Sequence, residues 1–281
     1  MAKARVVNLQ FNNETIDFSQ YTNHLLAEGD SWFAWAHLNL MPSSNVPEQL
    51  EFVDPTVIVN LAYSGDVVSH MADKSSDMTF YFELQGQRYH AILLSGGGND
   101  LIDALRPDDG KPAIIVPRGK KSAKSAGSYV DTAALKVLTD EVLASYRNII
   151  AMRDASASNA NTPIVMHTYD YPTARNAKAT FMGLPAAGPW LLPAMKAAKV
   201  PVKFYNAVTD IVFDALADTQ LKLHKPNNNV HVVNTRNTLT RAKPRKKALS
   251  GDWINEIHPD AYGYSLIGRK LSTALAGIGV L

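Results

Sequence analysis

Apolar residues gather along this chain in short continuous runs, each followed by a cluster of turn formers. Runs fall at 24–28, 57–62, 89–94, 163–169 and 230–234, and the second is continuous rather than alternating. That is the pattern of strands whose two faces are both covered. The first twenty residues carry weaker signals and predict an edge strand or an N-terminal arm. Between the third and fourth runs, Leu135, Leu138, Val142, Tyr146 and Ile149 recur at three- and four-residue spacing. They predict an amphipathic helix, with Asp131 or Thr132 as its cap. A last helix is predicted from Pro259, with Tyr264, Ile267, Leu271 and Ala274 as its inner stripe. Buried strands alternating with such helices give an α/β fold around a mostly parallel sheet of about five strands.

The clusters that end these runs set the next expectation. Glu28-Gly29-Asp30-Ser31, Tyr63-Ser64-Gly65-Asp66, Ser95-Gly96-Gly97-Gly98-Asn99-Asp100 and Asp170-Tyr171-Pro172 each follow a strand run. In parallel sheets ligands bind beyond the carboxyl ends of the strands, so the polar clusters converge on one site.

Composition narrows the chemistry. The 281 residues are read as one domain, 1–281, and the formal charge of +2 gives no reason to expect a nucleic-acid partner. Cysteine is absent, so disulfides, zinc-thiolate sites and a cysteine nucleophile are excluded. No transmembrane segment is expected, because no apolar window approaches the roughly 18–20 residues of a membrane span. The N-terminus lacks the apolar stretch of a signal peptide, predicting a cytoplasmic protein, or a secreted one if a leader has been removed. Two basic segments read as inserted loops. One, about 107–130, is rich in Pro, Gly, Ser and Lys, and is expected to be a mobile surface loop or lid. The other, about 239–251, contains Arg241, Lys243, Arg245, Lys246 and Lys247. Such runs are most simply solvated faces, or else they attract an anionic substrate or surface.

A serine where a buried strand gives way to a helix can be held with its hydroxyl exposed and its own N–H aimed at what the hydroxyl attacks. Ser31 is in that position, before a helix-compatible run that includes Trp35, His37 and Leu38. The base candidate is His258, late in the chain and directly before a helix; His167, at the end of the fourth run, is its competitor. Donors for a developing oxyanion would be the N–H groups of Ser31 and Gly65 and the side-chain amide of Asn99. Taken singly, Gly65 reads as a turn glycine and Asn99 as a helix cap. Trp32, Phe33, Tyr63, Tyr169, Tyr171 and Trp190 could line an acyl pocket, and residues 183–190 read as a rigid loop shaping one wall.

Gly29-Asp30-Ser31, Gly65, Gly98-Asn99-Asp100 and His258-Pro259 resemble, in order, the four blocks of the SGNH (GDSL) hydrolase family, across residues 25–270. The resemblance implies a three-layer, flavodoxin-like α/β/α sandwich and esterase or lipase activity on a small-molecule ester, with no cofactor or metal. By position it implies Ser31 as nucleophile, His258 as base, and Gly65 and Asn99 as oxyanion residues. One departure stands out. The family usually has aspartate three residues before the histidine, and this chain has Asn255. Asparagine brings no charge to stabilise an imidazolium, so the charge argument selects Asp252 as the orienting acid, with Glu256 or a serine–histidine dyad as alternatives. Two other classes compete. A metal-dependent phosphoesterase would use Asp30, Asn99 and Asp100 as ligands, but the chain has no Asp-x-His near its start and no Gly-His-x-His near its end. A non-catalytic binding module on the same fold would use the basic loops.

Overall fold

The strand runs assemble by parallel pairing, and the helices between them are the crossovers such pairing requires. A computed structural model describes residues 1–9, 14–34, 44–106, 110–119, 124–181 and 184–281. In chain order the elements are β1 (Ala2–Lys3), β2 (Arg5–Asn8), β3 (Asn23–Gly29), α1 (Ser31–Ala34), β4 (Glu51–Phe52) and β5 (Thr56–Asn60). Then come α2 (Val68–Met71), α3 (Met78–Gly86), β6 (Ala91–Ser95), α4 (Gly98–Leu105), α5 (Thr132–Asp154) and β7 (Ile164–His167). The chain continues through β8 (Ala179–Phe181), β9 (Leu184–Ala187), α6 (Leu191–Ala197), α7 (Tyr205–Leu221), β10 (Val230–Val233) and α8 (Ala261–Gly277).

Six strands form one sheet in the order β10-β7-β6-β3-β5-β2, and every pairing in it is parallel. Numbered from β3, the last five strands run 2-1-3-4-5, the flavodoxin order. The sixth, β2, is the expected N-terminal edge strand, added beside β5. Leu26 lies opposite Val59 on one side and Ile92 on the other, so β3 is the centre of the sheet. All five residues of β5 and of β6 are buried, matching their continuous apolar runs. Each buried Val, Leu or Ile there contributes roughly 1.5–3 kcal/mol of transfer free energy.

The direction of travel reverses at β3, and right-handed crossovers therefore place helices on both faces. On one face α5 packs against α2, α3, α4 and α7. On the other, α8 contacts β4, β7 and β10, and its Tyr264 meets Trp32 of α1 edge to face at 5.9 Å. Leu135, Leu138, Val142, Tyr146 and Ile149 of α5 are all buried, and the Asp131 side chain caps the helix by accepting from the N–H groups of Ala133 and Ala134.

Several boundaries differ from expectation. The last helix begins at Ala261, not Pro259: Asp260 is its cap, accepting from Gly263 N–H at 2.7 Å, while Pro259 bridges to Trp253. Its buried stripe closes on Leu275 rather than Ala274. Residues 184–187, expected within a rigid loop, form β9, antiparallel to β8. In the first basic segment Ile114, Ile115 and Tyr129 are buried and Ile115 bridges to Val130, so this part is packed rather than a free lid. Trp35, His37, Leu38, Lys120, Lys121 and Gly183 lie outside the described residues. Among the described residues no helix is long and apolar enough to cross a membrane.

Candidate active site

The switch point between β3 and β6 is where two neighbouring strands send their chains to opposite faces, leaving a crevice at their carboxyl ends. Ser31 leaves β3 there as the first residue of α1, and Asn99 leaves β6 as the second residue of α4. Both line one cleft, with Trp32, Ile102, Tyr169 and Ile257 among its walls. At the first turn of a helix the N–H groups have no intrahelical acceptor, so Ser31 N–H is available to a ligand.

The imidazole of His258 reaches this point from the loop between β10 and α8. Its Nε2 lies 2.8 Å from Ser31 Oγ. Its Nδ1 lies 3.0 Å from Asn255 Oδ1, the same atom that accepts from the N–H groups of Ile257 at 3.1 Å and His258 at 2.9 Å. Two backbone donors aimed at one atom identify it as the amide oxygen, which settles the orientation of Asn255. Nδ1 must then carry a proton and Nε2 must be the acceptor. The serine hydroxyl therefore donates to Nε2, and the ring is in the tautomer a general base needs. His258 is 2% exposed, and burial pushes its pKa down to about 3. Trp190, from the cap of α6, meets its ring edge to face at 5.4 Å.

The expected acid, Asp252, does not occupy this place. Its carboxylate accepts from Thr240 N–H at 2.6 Å, and its backbone ties the loop to Thr240 and Asp260. A side chain six residues back belongs to a different turn, whereas one three residues back can fold over its own loop as an Asx-type turn. The spacing of Asn255 was the signal that could have found it. Glu256 is also engaged elsewhere. Its two oxygens accept from the N–H groups of Arg175, Trp190, Leu191 and Leu192, fastening the start of α6, and burial raises its pKa to about 7 despite those donors.

Gly65 sits in the turn after β5 at φ +91°, a left-handed conformation that favours glycine. Its loop is tied to the serine strand by Tyr63 N–H donating to Gly29 O at 2.8 Å, and to α4 by the Asn99 amide donating to Asp66 O at 2.8 Å. One amide hydrogen of Asn99 is thereby spent on holding the loop, and the other remains for the cleft.

Beneath the serine lies a buried polar network that sequence reading missed. Asp30 accepts from Trp32 N–H at 3.0 Å, from Ser95 Oγ at 2.9 Å and from the Tyr169 hydroxyl. Burial raises the Asp30 pKa, while these donors oppose the rise. His167, the competitor for the base, belongs to this network. Its Nε2 contacts Ser95 Oγ at 3.1 Å, its Nδ1 faces Thr168 O at 2.8 Å, and it stacks on Trp32, with burial lowering its pKa to about 4. Among the described residues no group of three or more His, Asp or Glu gathers in a way that could hold a metal ion.

No family model matches the chain, and no curated protein does. Solved structures do. A lipase from a goat rumen metagenome aligns at a TM-score of 0.52 and 14% identity, over 92% of this chain and 98% of that one. The fold is shared. A putative arylesterase from Agrobacterium tumefaciens aligns at 0.47 and 14% identity, over 92% and 100%. An acetylxylan esterase from Geobacillus stearothermophilus aligns at 0.46 and 13% identity, over 92% and 94%. At 14% identity the likeness to the rumen lipase speaks for the fold alone and leaves the chemistry to the residues.

Proposed function

We propose that this protein hydrolyses carboxylic esters through an acyl-enzyme on Ser31. The observation that carries the reading is the 2.8 Å contact from Ser31 Oγ to an imidazole whose other nitrogen is held by an amide oxygen. In this mechanism His258 Nε2 takes the hydroxyl proton as Oγ bonds to the acyl carbon. The oxyanion is met by Ser31 N–H, Gly65 N–H and the free amide hydrogen of Asn99. Collapse breaks the bond to the alcohol oxygen, which leaves with the proton from His258. Water then repeats the sequence in reverse and frees the acid. Asn255 keeps the ring in the right tautomer without supplying charge. The lipase that shares the fold is consistent with this class of reaction.

Labelling by a fluorophosphonate, followed by mapping of the modified peptide, tests the nucleophile. Label on Ser31 supports the reading, and label elsewhere or none removes it. With p-nitrophenyl acetate, Ser31→Ala should lose on the order of 10⁶ in kcat. Asn99→Ala should lose about 10²–10³, as expected for one oxyanion donor.

A further inference from the structure

The second basic segment has a shape as well as a charge. Residues 219–251 contain eight Lys and Arg and no acid, and residues 171–209 contain five and no acid. In a chain of net charge +2 this is a strong local asymmetry. The two stretches meet in an open groove of about 690 Å³, walled by Lys203 and Asn206 on one side and Lys243, Arg245 and Lys246 on the other. Among the described residues none of these four cations forms an ion pair, although Arg236 and Arg241 nearby are paired to Asp214, Asp218 and Asp210.

The groove lies on the same end of the sheet as Ser31. Residues 241–250 belong to the connection leaving the carboxyl end of β10, and residues 202–206 span the turn into α7 and its first two residues, from which the helix runs back toward the opposite end. Arg241 spans the two sites: its guanidinium donates to Pro172 O at 2.8 Å, in the wall of the serine cleft, and to Asn206 O at 3.4 Å, in the wall of the groove. The backbone of the basic loop is held from below. Buried Arg175 donates to Lys246 O at 3.0 Å and Ala248 O at 2.5 Å, Thr173 donates to Ala242 O, and Lys243 N–H donates to Ser250 Oγ. The cationic side chains project from a fixed track.

We propose that this groove binds an extended polyanion, namely an acidic polysaccharide, and so delivers acyl groups carried on its hydroxyls to the neighbouring serine cleft. The delivery rests on the ester-hydrolase reading above; the binding does not. A concave wall of unpaired cations suits a chain of spaced anions better than a flat bilayer. Among the described residues no aromatic side chain lines the groove, and single-stranded nucleic acids use such side chains for base stacking. Of the common polyanions, it is the acidic polysaccharide that carries carboxylic esters along its length.

The test is direct binding of de-esterified polygalacturonate to the Ser31→Ala protein, by calorimetry, alongside neutral xylan, single-stranded DNA and phosphatidylglycerol vesicles. Expected are binding of polygalacturonate and not xylan, and weakening as salt rises from about 50 to about 200 mM. Lys243→Ala/Arg245→Ala should weaken it at least about tenfold, and Lys222→Ala/Lys225→Ala, which removes equal charge from the opposite end of the sheet, should not. Circular dichroism and Tm establish that both variants are folded. Absence of polygalacturonate binding, equal losses in the two variants, or tighter binding of DNA or vesicles would overturn the proposal. Because the protein tested lacks its serine, none of these outcomes bears on ester hydrolysis, which stands or falls on the labelling of Ser31.

Discussion

At the scale of the residue, the decisive feature is that Asn255 offers His258 an amide oxygen where the serine-protease triad offers a carboxylate. In a serine protease, replacing the triad aspartate by asparagine costs about 10⁴ in kcat because the histidine adopts the wrong tautomer. Here the N–H groups of Ile257 and His258 turn the Asn255 oxygen toward the ring, so that penalty does not arise. Asn255 itself brings no charge, and that has a pH signature. Its amide oxygen does not hold a second proton on the ring, and burial keeps His258 neutral far below the usual histidine value of about 6.5. The acid limb of kcat/KM, which reports the free enzyme's base, should therefore lie well under pH 6.5 in pH-stat assays. Asn255→Asp should raise the histidine pKa and move that limb to higher pH, with a gain of about tenfold in kcat from the stabilised imidazolium. An unmoved limb would contradict the assignment of the base or of its partner. Asp252→Ala should instead lower Tm with little change in kcat, since it strands the Thr240 N–H. Ser31 and His258 were legible in the sequence from their positions next to strand and helix ends. The choice between residues 252 and 255 was not, because charge argued for one and reach for the other, and in a tight turn reach decides.

At the scale of the element, the serine turn depends on how closely β3 and β6 approach. A Cβ on Gly29 would stand 2.7 Å from Ser95 O and 2.8 Å from Ser95 Cβ, atoms of a central strand that cannot swing aside. Gly29→Ala should cost about 1–3 kcal/mol in urea unfolding, as overpacking does. It should also lower kcat, because it displaces the Asp30–Ser95 contact directly beneath Ser31. Strands β3, β5, β6, β7 and β10 were readable as short apolar runs. The edge strand β2 was expected only as a strand or arm somewhere in the first twenty residues, and the β8–β9 hairpin was not legible, since Ala-Thr-Phe and Leu-Pro-Ala-Ala offer no apolar run. The Asp30, Ser95, His167 and Tyr169 network was equally hidden. It is built from three strand ends that only the sheet order makes neighbours.

For the molecule as a whole, the parallel order concentrates chemistry at one end, and a single buried cation binds that end together. Arg175, 1% exposed, donates to Lys246 O, Ala248 O, Trp253 O at 3.2 Å and Asn255 O at 2.5 Å, joining the basic track to the loop that bears His258. Arg175→Met leaves four carbonyls short of a donor and should lower stability by at least about 3 kcal/mol, measured by the urea midpoint. Loss of activity should accompany it, through the misplacement of Asn255. Each acceptor in this clamp is a main-chain oxygen, so the arginine recognises the path of the loop and is indifferent to what the loop displays. The outward side chains from 243 to 247 can then be rewritten as a set, acidic, neutral or aromatic, on an unchanged mount, making this end of the protein an exchangeable address label for whichever polymer or surface one wishes to bring to the serine.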